Sequence, residues 1–277
     1  MTLRKPIPEP RLSRRAALRF LATSAAASLP IARDAVARAG ADEPVVAAAA
    51  DLQFALEEVA RAFTAATGQS VKLAFGSSGN FARQIRQGAP FQLYLSADES
   101  YVLDLAQAGL TRDEGALYAV GRIVIVVPQG SPLKADGTLD DLAAALDDGR
   151  ITRFAIANPE HAPYGKRAEE ALRYRQLWER IRPKLVLGEN VAQAAQFATS
   201  GNAQGGIIAY SLALSPRIAP LGGFALIPDA WHSPLRQRMA LLRHAGAVAE
   251  RFYAYVQETE ARAVFRKFGF LLPDEAA

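Results

Sequence analysis

The sequence predicts an α/β protein arranged as two successive units, and three features carry that expectation. Short apolar or β-branched runs alternate with longer runs of helical period, the order that produces a largely parallel sheet flanked by helices. The handovers from strand to helix are made of small or polar residues. One segment, GRIVIVVPQG (121–130), is the most strand-like in the chain, and the alternation restarts behind it.

In order, PVVAAAA (44–50) reads as the first strand. Asp51 then opens a helix whose apolar positions Leu52, Ala55, Leu56, Val59, Ala60 and Phe63 share one face, with Gly68 as terminator. SVKLAF is the second strand, and NFARQIRQG is a short helix closed by Gly88. FQLYLSA is the third strand, followed by the helix DESYVLDLAQAG. Behind the long strand 121–130, a helix in LDDLAAALDDG leads to the strand TRFAIAN and a turn at Asn158-Pro159. A helix from Gly165 to Trp178 rests on Ala168, Ala171, Leu172 and Tyr174. KLVLG is a strand, Asn190 a helix cap, VAQAAQFATSG a helix stopped by Gly201, and GGIIAYS a strand. The segment 245–270 reads as one last helix ending in Phe265, Phe268 and Phe270. The expected division is an address at 1–41, a first lobe at 42–120, a second at 121–228, and a return to the first at 229–277.

Residues 1–41 have the order of an export signal: a basic region with Arg14-Arg15, a short apolar stretch, and the small-x-small site Ala39-Gly40-Ala41. The paired arginines point to the twin-arginine type, with the mature chain starting near Asp42. This segment also explains the overall charge of +4. It holds eight basic and two acidic side chains, which leaves 24 basic against 26 acidic in the remainder, a net −2. A nucleic-acid partner therefore has no electrostatic footprint in the mature chain.

Chemistry is restricted by what is missing. There is no cysteine, so thiol catalysis, thiolate metal sites and a cysteine-linked lipid anchor are all excluded. The three histidines, His161, His232 and His244, form no metal-binding pair, and no G-x-S-x-G pentapeptide occurs. The expected protein is neither an enzyme nor a cofactor carrier.

What remains is the turn FGSSGNFARQI (75–85), where two glycines and two hydroxyls stand between a strand and a helix. Helix N-termini offer unpaired N–H groups and a partial positive end, so they hold anions without a charged side chain. Ala50-Asp51, Ser77-Ser78, Ser96-Ala97, Tyr164-Gly165 and Asn190-Val191 repeat that handover, three in one lobe and two in the other. Read alone, the serine turn is equally well explained as an ordinary cap at Asn80.

From about Val45 to Phe270 the chain resembles the periplasmic molybdate-binding proteins, the substrate-binding components of ABC importers. The resemblance rests on AAAADLQFALEEVARAF, FGSSGNFARQIRQGAPFQLYLSAD, GRIVIVVP, IANPEHAPYGKRAEEAL, GENVAQA and VFRKFGF. It implies a two-lobed periplasmic-binding-protein fold of type II, with the ligand in the cleft between lobes, and a monomer that hands its ligand to a membrane permease. It also implies recognition of molybdate and tungstate by neutral hydrogen-bond donors. Carried over by position, Ser78 matches a ligand-binding serine, and Ala97, Tyr164 and Val191 match backbone donors. In this reading Asp51, Ser78 and Val191 are ligands of the molybdate oxyanion, not of a bare cation.

Two positions depart from the pattern. Better-known members have serine where this chain has Asp51, and tyrosine where it has Ala209, with Tyr210 one residue later. A shift of one residue reverses the face of a strand, so Tyr210 is a candidate ligand residue whose direction is open. Two accounts fit Asp51. It caps the helix that follows, which is the favoured expectation, or it accepts a proton from an oxyanion such as hydrogen phosphate or arsenate. An organic-acid binder would instead clamp carboxylate with an arginine. Arg83 is the candidate, and its place on the helix after Asn80 points it to solvent.

Overall fold

The structure, a computed structural model, describes residues 43–275. The expected export signal lies outside the described residues. From the start of that range the chain runs β1 (Val45–Ala49), α1 (Gln53–Thr67), β2 (Lys72–Gly76), α2 (Ser78–Arg86), β3 (Leu93–Ser96), α3 (Glu99–Gln107) and β4 (Ala116–Gly121). It continues as β5 (Ile123–Pro128), α4 (Asp140–Asp147), β6 (Phe154–Ala157), α5 (Pro163–Tyr174), α6 (Trp178–Ile181), β7 (Leu185–Gly188), α7 (Val191–Thr199), β8 (Gly206–Ala209), α8 (Tyr210–Ala213) and β9 (Gly222–Leu226). It ends with β10 (Leu235–Leu241), α9 (Ala247–Tyr255) and α10 (Thr259–Lys267). Among these residues no helix is long and apolar enough to cross a membrane.

The strands form two five-stranded sheets, one per lobe, in the orders β2-β1-β3-β10-β4 and β7-β6-β8-β5-β9. Each is half parallel. In lobe 1, β2, β1 and β3 run together while β10 runs against both β3 and β4. In lobe 2, β7, β6 and β8 run together while β5 runs against both β8 and β9. The chain crosses between lobes at Arg122 and returns through 227–234; Gly121 and Leu235 pair where the two crossings meet.

The central strands are buried on both faces, so they read as continuous apolar runs. In β1, Val46 and Ala48 pack under α1, α9 and α10, while Ala47 packs under α2 and α3. Its alanines let helices approach closely on both sides. Phe63 meets Phe252 edge-on at 5.2 Å, which locks α1 to α9. Lobe 2 is built around Ile123, Ile125, Phe154, Ile156 and Leu172.

Four expectations need correction. The segment 121–130 is not one strand: β4 ends at Gly121 in one sheet, and β5 begins at Ile123 in the other. The alternation of strands and helices does not reveal β4, β9 and β10, because all three pair antiparallel at the crossing side of a sheet. The last helix is broken at 256–258, where Glu258 is extended (φ −74°, ψ 159°), so that Phe252 and Phe265 both reach the same core. The helix after Asn158-Pro159 stops at Tyr174; Gln176 turns left-handed (φ 59°) before the short α6.

Candidate functional site

All five strand-to-helix handovers converge. Ala50 and Asp51 after β1, Ser77 and Ser78 after β2, Ala97 after β3, Tyr164 in the first turn of α5, and Asn190 and Val191 at the start of α7 line a single small cavity between the lobes. Its cavity volume is only about 10 Å³, so the lobes are nearly closed on one another here. Among the described residues no lysine, arginine or histidine lines it. The N–H groups of Ser78, Tyr164 and Val191 come from first helical turns, where in-helix partners are missing for geometric reasons.

The serine wall follows from local chemistry. Ser77, not Asn80, caps α2: its backbone is extended and its Oγ accepts from the Asn80 N–H at 3.4 Å. Ser78 thereby becomes the first helical residue, fully buried, and its Oγ accepts from the Ala97 N–H at 3.0 Å. The hydroxyl proton of Ser78 is left to donate. The Tyr94 hydroxyl donates to the Ser78 carbonyl at 2.8 Å and fixes the turn against β3. Across the cleft, Asn190 caps α7 as the sequence predicts, with Oδ1 accepting from the N–H groups of Ala192 (3.0 Å) and Gln193 (3.1 Å). Val191 is therefore the first residue of α7, with its N–H at the cavity.

The lining after β1, between the ends of β2 and β3, is different. Asp51 sits in a 3₁₀ turn at Ala50–Leu52 and is 1% exposed, yet its side chain caps nothing. The favoured expectation of an N-cap is wrong. Its Oδ2 instead accepts from the Tyr164 hydroxyl at 2.9 Å and from Gln237 Nε2 at 2.7 Å. Gln237 is fully buried on β10 and is oriented by Tyr118, whose hydroxyl donates to Gln237 Oε1 at 2.7 Å. That bond fixes the amide so that its N–H side faces Asp51. Ser211 donates from lobe 2 to the Asp51 carbonyl at 2.8 Å. Oδ1 of Asp51 is buried and has no partner.

Burial dominates the titration of this wall. Loss of water pushes the Asp51 carboxyl from 3.8 up to about 6, against the lowering effect of its bonds from Gln237 and Tyr164. The same burial, with Asp51 nearby, pushes the Tyr118 and Tyr164 phenols well above their ordinary range, so both remain donors. Gly121 makes the arrangement possible. A Cβ there would run into the Tyr164 hydroxyl and the Gln237 amide.

Polar contacts join the lobes around the cavity. The Ser77 hydroxyl lies 3.0 Å from His161 Nδ1, and the Gly79 N–H donates to the His161 carbonyl at 3.0 Å. Arg167, buried on α5, reaches Asp98 at 2.8 Å in lobe 1. Asn80 bonds Glu189 across the cleft. A side chain at position 79 would press on the His161 carbonyl at 2.7 Å, so glycine is what lets the backbones meet.

Of the six residues expected at the site, Asp51, Ser78, Ala97, Tyr164 and Val191 come together and Tyr210 does not. β8 ends at Ala209 and Tyr210 begins α8, which turns its ring away beneath the Arg122 guanidinium (4.8 Å) and against Phe224 (5.8 Å). Tyr164 enters with its hydroxyl, not only its backbone. Gln237 and Tyr118 were not anticipated. The signal for Gln237 was a polar residue between Leu235 and Met239 on the inward face of an alternating strand. Arg83 is exposed and bonds only Asn80, as expected of a solvated position.

Comparison with known proteins agrees with this architecture. Residues 44–271 match the family of the bacterial extracellular solute-binding protein. The molybdate-binding protein ModA of Rhodobacter capsulatus is 35% identical over 84% of this chain and 90% of its own length. ModA of Escherichia coli is 31% identical over 91% of this chain and 97% of its own. The periplasmic molybdate-binding protein of Azotobacter vinelandii superposes with a TM-score of 0.75 at 27% identity, over 83% of this chain and all of that one. With its two lobes, its crossing strands and its interlobe cavity, the chain belongs to the bacterial extracellular solute-binding family, alongside the molybdate-binding proteins it matches.

Proposed function

We propose that the chain captures molybdate, and tungstate equally, in the interlobe cavity and delivers it to the permease of an ABC importer. The observation that carries the reading is the convergence of five strand-to-helix ends on one buried, cation-free cavity in a chain 35% identical to a molybdate-binding relative. The donors are the Ser78 hydroxyl and the N–H groups of Tyr164 and Val191, joined by the Ala97 N–H, which now donates to Ser78 Oγ. The Tyr164 hydroxyl proton is given to Asp51. A buried dianion is tolerable only where each oxygen meets donors. A fixed set of donors also selects by size, so molybdate and tungstate fit alike while smaller sulfate is under-coordinated. Binding by both lobes favours the closed form, which is the form a permease reads.

In this reading the protein is a monomeric, non-enzymatic, cofactor-free component of the periplasm, exported by the twin-arginine route through residues 1–41 and processed near Ala41. Calorimetric titration with molybdate, tungstate, sulfate, phosphate and a carboxylate panel tests it. Molybdate and tungstate should bind with equal affinity and one-to-one stoichiometry. Preference for a carboxylate, or no binding of any oxyanion, would refute it.

A further inference from the structure

The serine turn after β2 needs no charged group, yet the neighbouring strand β1 leads into a carboxylate. Asp51 lines the cavity, is almost wholly buried, and has one oxygen committed to Tyr164 and Gln237 and the other, Oδ1, without a partner. Among the described residues no cation offsets it. The titratable groups that face it are the Tyr164 phenol from α5 and, through Gln237, the Tyr118 phenol from β4, and both are held protonated. The remaining neighbours are neutral: Ser211 from α8, Gln237 from β10, Gly76 from β2, and Asn190 and Val191 from α7. An ionised Asp51 would therefore stand beside a dianion with nothing between them but a short, water-poor gap.

We propose that Asp51 is the specificity-determining residue of this site and that it shares one proton with the bound oxyanion, through Oδ1. The proposal rests on the oxyanion reading above. With Oδ2 accepting two hydrogen bonds, a proton on Asp51 resides on Oδ1, where it converts a repulsive carboxylate into one more donor. Molybdate is a dianion in neutral water and brings no proton, so the protein must take one from solvent as it binds. Hydrogen phosphate brings its own proton and can donate it to an ionised Asp51, so that complex forms with no net uptake. In both complexes one proton lies between Asp51 and a ligand oxygen, and total charge is conserved. Only its source differs.

The accompanying rise of the Asp51 carboxyl to about 6 sets the window of the test. Calorimetry of the mature protein with sodium molybdate at pH 8, in buffers of differing ionisation enthalpy, should report uptake of close to one proton per anion bound. Molybdate affinity should be flat below about pH 6 and fall about tenfold per pH unit above it. Asp51→Asn should show no uptake and no slope, and at pH 8 should bind molybdate about a hundredfold more tightly than the parent chain. Sodium phosphate at pH 8, if bound, should bind to the parent chain without uptake and lose affinity in Asp51→Asn.

Pairs of outcomes separate the two claims. Molybdate binding with no proton uptake and a flat profile would overturn the shared proton and leave the oxyanion reading intact. Uptake that persists in Asp51→Asn would overturn its assignment to this residue. Phosphate bound without uptake and in preference to molybdate would overturn the ligand assignment and support the shared proton. Failure to bind any oxyanion across the pH range would overturn both.

Discussion

One part of the cavity lining, the Ser78 hydroxyl and, across the cleft, the Val191 N–H, is set by where helices begin, with the Ala97 N–H held by Ser78 Oγ. In the other, Asp51, Tyr164 and Gln237 form a side-chain cluster drawn from three distant segments, with Tyr118 behind it. The first wall is neutral, costs little to bury and is organised within a few residues of each turn. The second holds a carboxylate out of water and is held in place only when both lobes and the returning strand β10 are folded. The difference separates two tasks. Attraction for an anion comes from geometry on the serine side, while control of charge is concentrated on the Asp51 side.

The largest expected effect strikes the second wall. Asp51 has its carboxyl raised above the unfolded value of 3.8 to about 6, so the folded chain holds this proton more tightly than the unfolded one. Its favourable contribution is complete below about pH 4 and is lost as pH rises through about 6. Above that window, the ionised group costs about 3 kcal/mol. Asp51→Asn should therefore stabilise the chain by up to about that amount at pH 8 and by little at pH 4. Denaturant melts at the two pH values check it, and an equal shift at both would show that burial does not perturb this carboxylate.

Ser78→Ala tests the first wall. The loss of a donor to a charged acceptor should weaken molybdate binding by about 1–3 kcal/mol. It also strips the Ala97 N–H of its acceptor, so the melting temperature should fall without ligand and recover when molybdate is added. A fall that ligand does not relieve would make Ser78 a purely structural serine.

The two walls were unequally legible from sequence, for a physical reason. FGSSGN and GEN are local signals: a small residue, a hydroxyl or amide cap and a following helix are enough to place Ser78 and Val191 at open helix ends. Asn190 behaves as its type predicts, although the cap before α2 is Ser77, three residues ahead of Asn80. The Asp51 wall is a long-range object. Asp at a helix start has the composition of a cap, and nothing within ten residues of it reveals that Tyr164 and Gln237 will compete for its oxygen and win. Gln237 lies on β10, a strand that returns from the far side of lobe 2, and an antiparallel insertion leaves no βα rhythm to follow. Tyr210 shows the limit of register arguments in the other direction. The strand ends before it, so its ring is placed by the start of α8 and by Arg122, not by strand alternation.

Smaller effects sharpen the comparison. Asn190→Ala removes the cap that sets Val191 as the first helical residue and should cost about 1 kcal/mol of stability, with a loss of affinity in the same range. An Asn190→Ser variant should restore both, because serine caps as well. The smallest effect belongs to Arg83→Ala. This arginine is exposed and touches only Asn80, so stability and oxyanion affinity should both stay within about 0.5 kcal/mol of the parent. A large loss of ligand binding would revive the arginine clamp of an organic-acid binder.

Anomalous scattering tests most directly whether the convergent helix ends hold a tetrahedral oxyanion. Crystals of the mature protein grown with sodium molybdate should show one strong molybdenum anomalous peak in the interlobe cavity. Its surrounding oxygens should lie within hydrogen-bond distance of the Ser78 hydroxyl and the N–H groups of Ala97 and Val191, with Asp51 Oδ1 facing one of them. An empty cavity in a crystal saturated with molybdate, or a peak elsewhere on the molecule, would contradict it.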